Sequence, residues 1–240
     1  MSHCITTEAL HEAQIITAEI WQSASCAEIM LTMLSESRLF QNSNHYAPQL
    51  YLFAASCARR VNHLLHDPRS YLAISATELF ATDPTTQAHL HNSHRAAQAA
   101  VVDLAHTYNC SPSLSTEHLN HDQATTRQLF LGGALLHAAA AASVASTPSQ
   151  LTRPLKAAQT SARYAINALY YEQLSNDTDS TLISQVIDDE QHRQSHALRI
   201  FLGNPFDSER WPPFTVPETR FKEPSRHQFG ATHYESFITN

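Results

Sequence analysis

Sixteen histidines in 240 residues are the first chemistry this chain offers. His192 and His196 stand one helical turn apart, with Asp188 a turn further back and Asp189 three residues before His192. Imidazoles and carboxylates on or beside one helix face are donors suited to zinc or iron. His63 and His66 next to Asp67, and the trio His89, His91 and His94, are clusters of the same kind. Glu8 and His11 give one Glu-x-x-His spacing. A di-iron bundle needs two such pairs and two more carboxylates, and the second pair would have to be Asp189 with His192, aspartate replacing glutamate. In a chain so rich in histidine, however, pairs at these spacings arise by chance, and helix-surface polarity is the simpler reading. No cofactor is therefore expected. Zn or Fe bound by Asp188, Asp189, His192 and His196 is the alternative, and it requires at least three such ligands within about 2–2.5 Å of one point.

Other chemistries find less support. The four cysteines, Cys4, Cys26, Cys57 and Cys110, form no Cys-x-x-Cys pair, so neither a zinc knuckle nor a redox couple is indicated. There is no G-x-S-x-G, and Cys57 lies on an apolar stripe, where a buried inert thiol is the usual case. With only four glycines, the phosphate-cradling loops G-x-G-x-x-G and G-x-x-x-x-G-K-[ST] are absent. Arg59-Arg60 could meet a phosphate, but paired arginines leaving a helix face more often serve as ion-pair partners or stay solvated.

The elements that must position these groups read as helices. Four glycines cannot supply the left-handed turn positions of a sandwich, barrel or doubly wound sheet. Alanine, the best helix former, takes up the share with 33 residues. Asp67-Pro68 and Asp83-Pro84 each place a capping carboxylate before a proline at the first helical position, where its missing N–H costs nothing. Thr147-Pro148 repeats this more weakly. The expected helices span about 7–22, 26–37, 48–66, 68–81, 84–107, 116–146, 149–175 and 179–202, an all-α bundle of about seven or eight helices. Leu50, Phe53, Ala54, Cys57, Val61, Leu64 and Leu65 form one apolar stripe on the third. Gly132-Gly133, inside a helical run, marks a kink or a close helix crossing. Glu190 and Gln194 interrupt the apolar stripe of the last helix. A carboxylate facing a core needs a partner, and Arg59 or Arg60 is expected to supply it. The wider expectation is a structural polar network of Arg59, Arg60, His63, Asp67, Glu78 and Glu190 joining the third, fourth and last helices.

The helical reading ends at Gly203-Asn204-Pro205-Phe206, a glycine stop followed by proline. This divides the chain into a bundle domain, 1–202, and a tail, 203–240, with five of the eleven prolines and seven aromatic residues. So aromatic a tail is expected to lie extended against the bundle. The net charge of −7 argues against nucleic acid or an anionic membrane surface as partner. Protonating all the histidines would carry the formal charge to +9, so surface charge depends steeply on pH near 6. Phe130–Ser146, the longest apolar stretch, falls short of about 20 residues and has His137 at its centre, which suits a buried helix better than a membrane span. No basic region precedes an apolar run at the start, and a cytoplasmic location is expected.

Three stretches carry a resemblance. Ala18-Glu19-Ile20-Trp21 with Met30-Leu31 is the first. The second is Leu52-Phe53-Ala54-Ala55-Ser56-Cys57-Ala58-Arg59-Arg60, followed by His63-Leu64-Leu65, Asp67, Arg69-Ser70, Ala73, Glu78 and Phe80-Ala81. The third is Glu190, Gln194, Leu198-Arg199 and Gly203-Asn204-Pro205-Phe206. Together they resemble an uncharacterised helical family common in planctomycete-type bacterial proteomes, with its "EAEW…ML", "LFACACCRR…HLL.D.RS…AE.FA" and "LLR.IFGNPF" runs. The match covers residues 17–81 and 190–206. That family continues into further helices after its "GNPF", whereas a proline-rich tail follows here, and His192 and His196 are not part of its pattern. The resemblance implies a fold and a shared core, and brings no activity with it.

Two functional classes follow. A non-enzymatic helical interaction or scaffold module, partnered by another protein, is expected, since no catalytic constellation rises above chance. A metal- or histidine-dependent enzyme or sensor using His192 and His196 with the neighbouring carboxylates is the alternative. An exposed apolar patch would favour the first, and convergence of the named ligands in a cleft the second.

Overall fold

Three aspartates start helices by the same local chemistry. The Asp67 carboxylate accepts the Arg69 backbone N–H at 2.8 Å, Asp83 that of Thr85 at 3.0 Å, and Asp179 that of Thr181 at 2.8 Å. Each satisfies a donor that the first helical turn leaves open. The computed structural model describes residues 18–37, 46–108, 123–148 and 154–206. They fold into eight α-helices with no strand among the described residues: α1 (Ala18–Ser23), α2 (Ala27–Glu36), α3 (Ala47–Arg60), α4 (Pro68–Thr82), α5 (Gln87–Tyr108), α6 (Gln123–Ala145), α7 (Pro154–Ser175) and α8 (Ser180–Leu202). The protein is an all-α bundle.

The expected elements are present, with differences at their ends. The third was expected to run to residue 66. It stops at Arg60, and Asn62–Leu64 form one 3-10 turn. Pro68 bars Asp67 from helical backbone, and Asp67 is extended, at φ −92° and ψ 122°. The chain must therefore turn earlier, and the tight turn does so while keeping Leu64 and Leu65 buried. Pro84–Thr86 is likewise a 3-10 turn feeding α5 from Gln87 rather than its first α-helical turn. The expected helical residues 7–17, 116–122 and 149–153 lie outside the described residues, as does the tail from residue 207.

α6 and α7 form the central pair. α3, α4 and α5 pack around α6, and α2, α3 and α8 around α7. Both helices bury alanine in the core: Ala134, Ala138, Ala141 and Ala145 on α6, and Ala158, Ala162, Ala165 and Ala168 on α7. These spacings put one small-residue stripe along each helix. The Ser161 hydroxyl lies 3.0 Å from the Ala54 carbonyl and 3.1 Å from that of Ala141, tying α7 to α3 and α6 at one point. Glycine closes the rest of the gap. A Cβ on Gly132 would stand 2.6 Å from the Tyr108 Cβ, and one on Gly133 would stand 3.2 Å from the Tyr171 ring. Of the two reasons expected for these glycines, close packing is the one the contacts display. The stretch Thr125–Ala145 is long and apolar enough to cross a bilayer, and 72% of its apolar window is buried inside the bundle.

At the other end α1 is clasped to α8. The Trp21 indole Nε1–H donates to the Gly203 carbonyl at 2.8 Å, and Phe206 packs edge-on against the ring at 5.7 Å. Gly203 ends α8 with φ +62°, a backbone region that favours glycine. Arg199 completes the clasp. Its guanidinium donates to the carbonyls of Trp21, at 3.0 Å, Gln22, at 2.9 Å, and Ala24. Carbonyls left open at the end of α1 are thus satisfied by a cation from a helix 178 residues away.

Candidate functional site

The end of α3 delivers two arginines in opposite directions. Arg59 turns to α4, where its Nε and Nη2 donate to the two carboxylate oxygens of Glu78 at 2.9 and 2.7 Å. Nη2 also reaches Ser75 Oγ at 3.1 Å, and the guanidinium carbon lies 5.4 Å from the centre of the Tyr71 ring. The bond to Glu78 raises the Arg59 pKa against the opposing effect of its burial. Arg60 turns to α8. Its Nε donates to both oxygens of Glu190, at 2.6 and 2.8 Å. Gln194, one turn on from Glu190, donates from Nε2 to Glu190 Oε1 at 3.0 Å and is also within 3.2 Å of the Ala162 carbonyl. Glu190 is only 3% exposed, whereas the Arg60 side chain keeps 26%.

The remaining expected members bond elsewhere. His63, half-exposed on the 3-10 turn, meets Glu172 of α7 at 3.1 and 3.2 Å. Asp67 bonds Arg69, whose Nη2 also reaches Asp103 of α5 at 2.6 Å. The Arg69 side-chain bond holds the Asp67 carboxyl below the usual carboxylate range. The six residues thus make three separate ties between elements, α3–α4, α3–α8 and turn–α7, while Asp67 holds Arg69, which ties α4 to α5. Glu172, Arg69 and Asp103 were not anticipated. Glu172 lies 109 residues from His63 and Asp103 lies 34 from Arg69, beyond any helical spacing that a sequence displays.

This arrangement binds helices and leaves little for catalysis. Glu78 and Glu190 are both bonded to guanidinium groups, which occupy the oxygens a substrate would have to reach. Cys57 is a free thiol in the core, and burial, with the nearby Glu190 charge, pushes its pKa up. It stays protonated and unreactive. Asp188, Asp189, His192 and His196 all lie exposed on the outer side of α8. Among the described residues no group of three or more His, Cys, Asp or Glu side chains is arranged to hold a metal ion.

Two other histidines are buried. His94 of α5 lies with Nδ1 3.0 Å from the Ser143 carbonyl and 3.4 Å from Ser146 Oγ, and burial lowers its pKa. His137 of α6 stacks on Tyr171, centroids 5.2 Å apart and planes 7° from parallel, and leans on Tyr164 at 5.4 Å. Its Nδ1 is sealed from solvent without a hydrogen-bond partner, and burial depresses the imidazole from 6.5 to about 4. Only its place in an apolar run hinted at this from sequence. Comparison with known proteins adds no assignment: no family model matches the chain, and neither a curated protein nor a solved structure matches it significantly.

Proposed function

We propose that this protein is a non-enzymatic helical interaction module whose docking face is the outer side of α4. One observation carries the reading. Pro68, Leu72, Ser75, Leu79 and Thr82 recur along α4 at helical spacing, all are exposed, and none is charged. Leu72 is 54% exposed and Leu79 45%. The inward face carries mostly smaller groups: Ser70, Ala73, Ile74, Ala76, Thr77 and Ala81. The helix thus turns its leucines outward, the reverse of an ordinary surface helix. The outer sides of α5 and α8 also expose Val102, Leu182 and Ile200, but they differ in carrying His89, Arg95, Asp103 and His106 on one and Asp188, Asp189, His192, Arg193 and His196 on the other.

Two exposed leucines seven residues apart between small uncharged side chains suit the apolar stripe of an amphipathic partner helix. A protein partner also agrees with the net charge of −7, which opposes docking to a phosphate backbone, and with the burial of the apolar α6 in the core. A cytoplasmic location belongs to the same reading. The test is cross-linking and affinity capture with wild type, Leu72→Glu/Leu79→Glu and, as a control on another face, Ile200→Glu. A partner retained by wild type and the control but lost by the double variant, at unchanged helicity, supports the reading. Equal retention by all three refutes it.

A further inference from the structure

We propose that the seating of α6 is acid-sensitive, with His137 as the trigger: protonating its imidazole releases the α6–α7 packing before the helices themselves melt. The geometry points there because His137 packs directly between α6 and α7. Its ring fills the slot between Tyr164 and Tyr171, and Tyr171 rests on Gly133 one turn earlier. Nδ1 is sealed without an acceptor, so a proton placed there would have nowhere to bond. The two tyrosine faces offer a cation some attraction. They do not replace the water or the carboxylate that an imidazolium requires when buried.

Five ion pairs among the described residues occupy charged groups on the elements around α6. Arg59 bonds Glu78, Arg60 bonds Glu190, the His63 ring nitrogen meets Glu172, and Arg69 bonds Asp67 and Asp103. Among the described residues, the titratable rings in contact with His137 are Tyr164 and Tyr171 of α7, while Tyr108 of α5 reaches the same helix at Gly132. His94, also from α5, is the other buried histidine against α6 among the described residues. It differs in one respect: its Nδ1–H can donate to the Ser143 carbonyl in either charge state, so it follows the opening rather than starting it.

The direction follows from the ordinary and buried values. His137 binds its proton near pH 6.5 when released and near 4 when packed. Between these values the open state takes up a proton that the closed state refuses. The closed state therefore loses stability as pH falls from 6.5 through about 4, with no further loss below. Far-UV and near-UV circular dichroism of the full chain during acid titration would test this. The tyrosine signal is expected to collapse between pH 6.5 and 4 while helicity persists. His137→Phe, which fills the aromatic slot without a titrating nitrogen, should lower that midpoint by about one pH unit, and His94→Gln by less. An unchanged midpoint in His137→Phe overturns the proposal. Should that variant fold poorly, NMR titration of the His137 ring in the wild type decides: a neutral ring down to about pH 5 supports it, and titration near 6.5 with the tyrosine signal intact refutes it.

Discussion

Removing the Arg60 side chain should be far more damaging than removing its partner. Glu190 is sealed at 3% exposure, and its oxygens are satisfied by Arg60 at 2.6 and 2.8 Å and by Gln194 at 3.0 Å. In Arg60→Leu the carboxylate stays buried with a single amide donor. Stranding a buried charge in this way costs about 3–5 kcal/mol, a large part of the roughly 5–15 kcal/mol that holds a domain folded. Glu190→Leu strands the other member. Arg60 is 26% exposed and on a long stem, so its guanidinium can turn to water. The loss there is about 1–2 kcal/mol, mainly of a charged hydrogen bond. Replacing both by leucine removes the stranded charge along with the pair, and should recover most of the Arg60→Leu deficit. Urea unfolding followed by helical circular dichroism on the four proteins of this cycle gives each value and the coupling between them. An Arg60→Leu cost within about 0.5 kcal/mol of zero, or a larger cost for Glu190→Leu, would refute the claim that burial of the carboxylate dominates this tie.

Further outcomes are expected at other ties. Gly132→Ala should destabilise by about 1–3 kcal/mol, because its Cβ would sit 2.6 Å from that of Tyr108, while Gly133→Ala, at 3.2 Å from a ring, should nearly balance strain against helix propensity in thermal melts. Asp67→Ala removes a helix cap and should cost about 1 kcal/mol at neutral pH. Since the folded carboxyl titrates below its ordinary 3.8, that wild-type advantage is full above this value and fades as pH falls through the lower folded one, which urea unfolding at several pH values would reveal. Arg199→Ala should release α1 and expose Trp21, read as quencher access to its fluorescence in a Trp211→Phe background. His192→Ala/His196→Ala, both on the outer side of α8, should change stability by less than about 0.5 kcal/mol, and protein purified without a nickel column should carry substoichiometric metal.

What could be read from the sequence, and what could not, divides along one physical line. Helix starts depend on neighbours in the chain, and Asp67-Pro68 announced α4 because cap and proline are adjacent. The buried position of Glu190 was legible too, since its place on an apolar stripe is a matter of helical period. Partner choice was legible only where the field narrowed to two candidates, Arg59 and Arg60. His63–Glu172, Arg69–Asp103 and the grip of Arg199 on α1 depend on how separate helices cross, and no local spacing encodes that. The end of α3 escaped for a related reason: the stripe continues through Leu64 and Leu65, while the backbone has already turned under the constraint of Pro68.

The alanine seam between α6 and α7 has a consequence for how this protein can be dissected. Alanines such as Ala138, Ala141, Ala158 and Ala165 have no side chain beyond Cβ, so truncation removes nothing there. An alanine scan would pass over these buried positions and rank them as inert. Enlargement is the informative operation. Ala138→Val or Ala162→Val would add carbon where the core is already closed, so tolerance to added carbon, not to lost carbon, maps these positions.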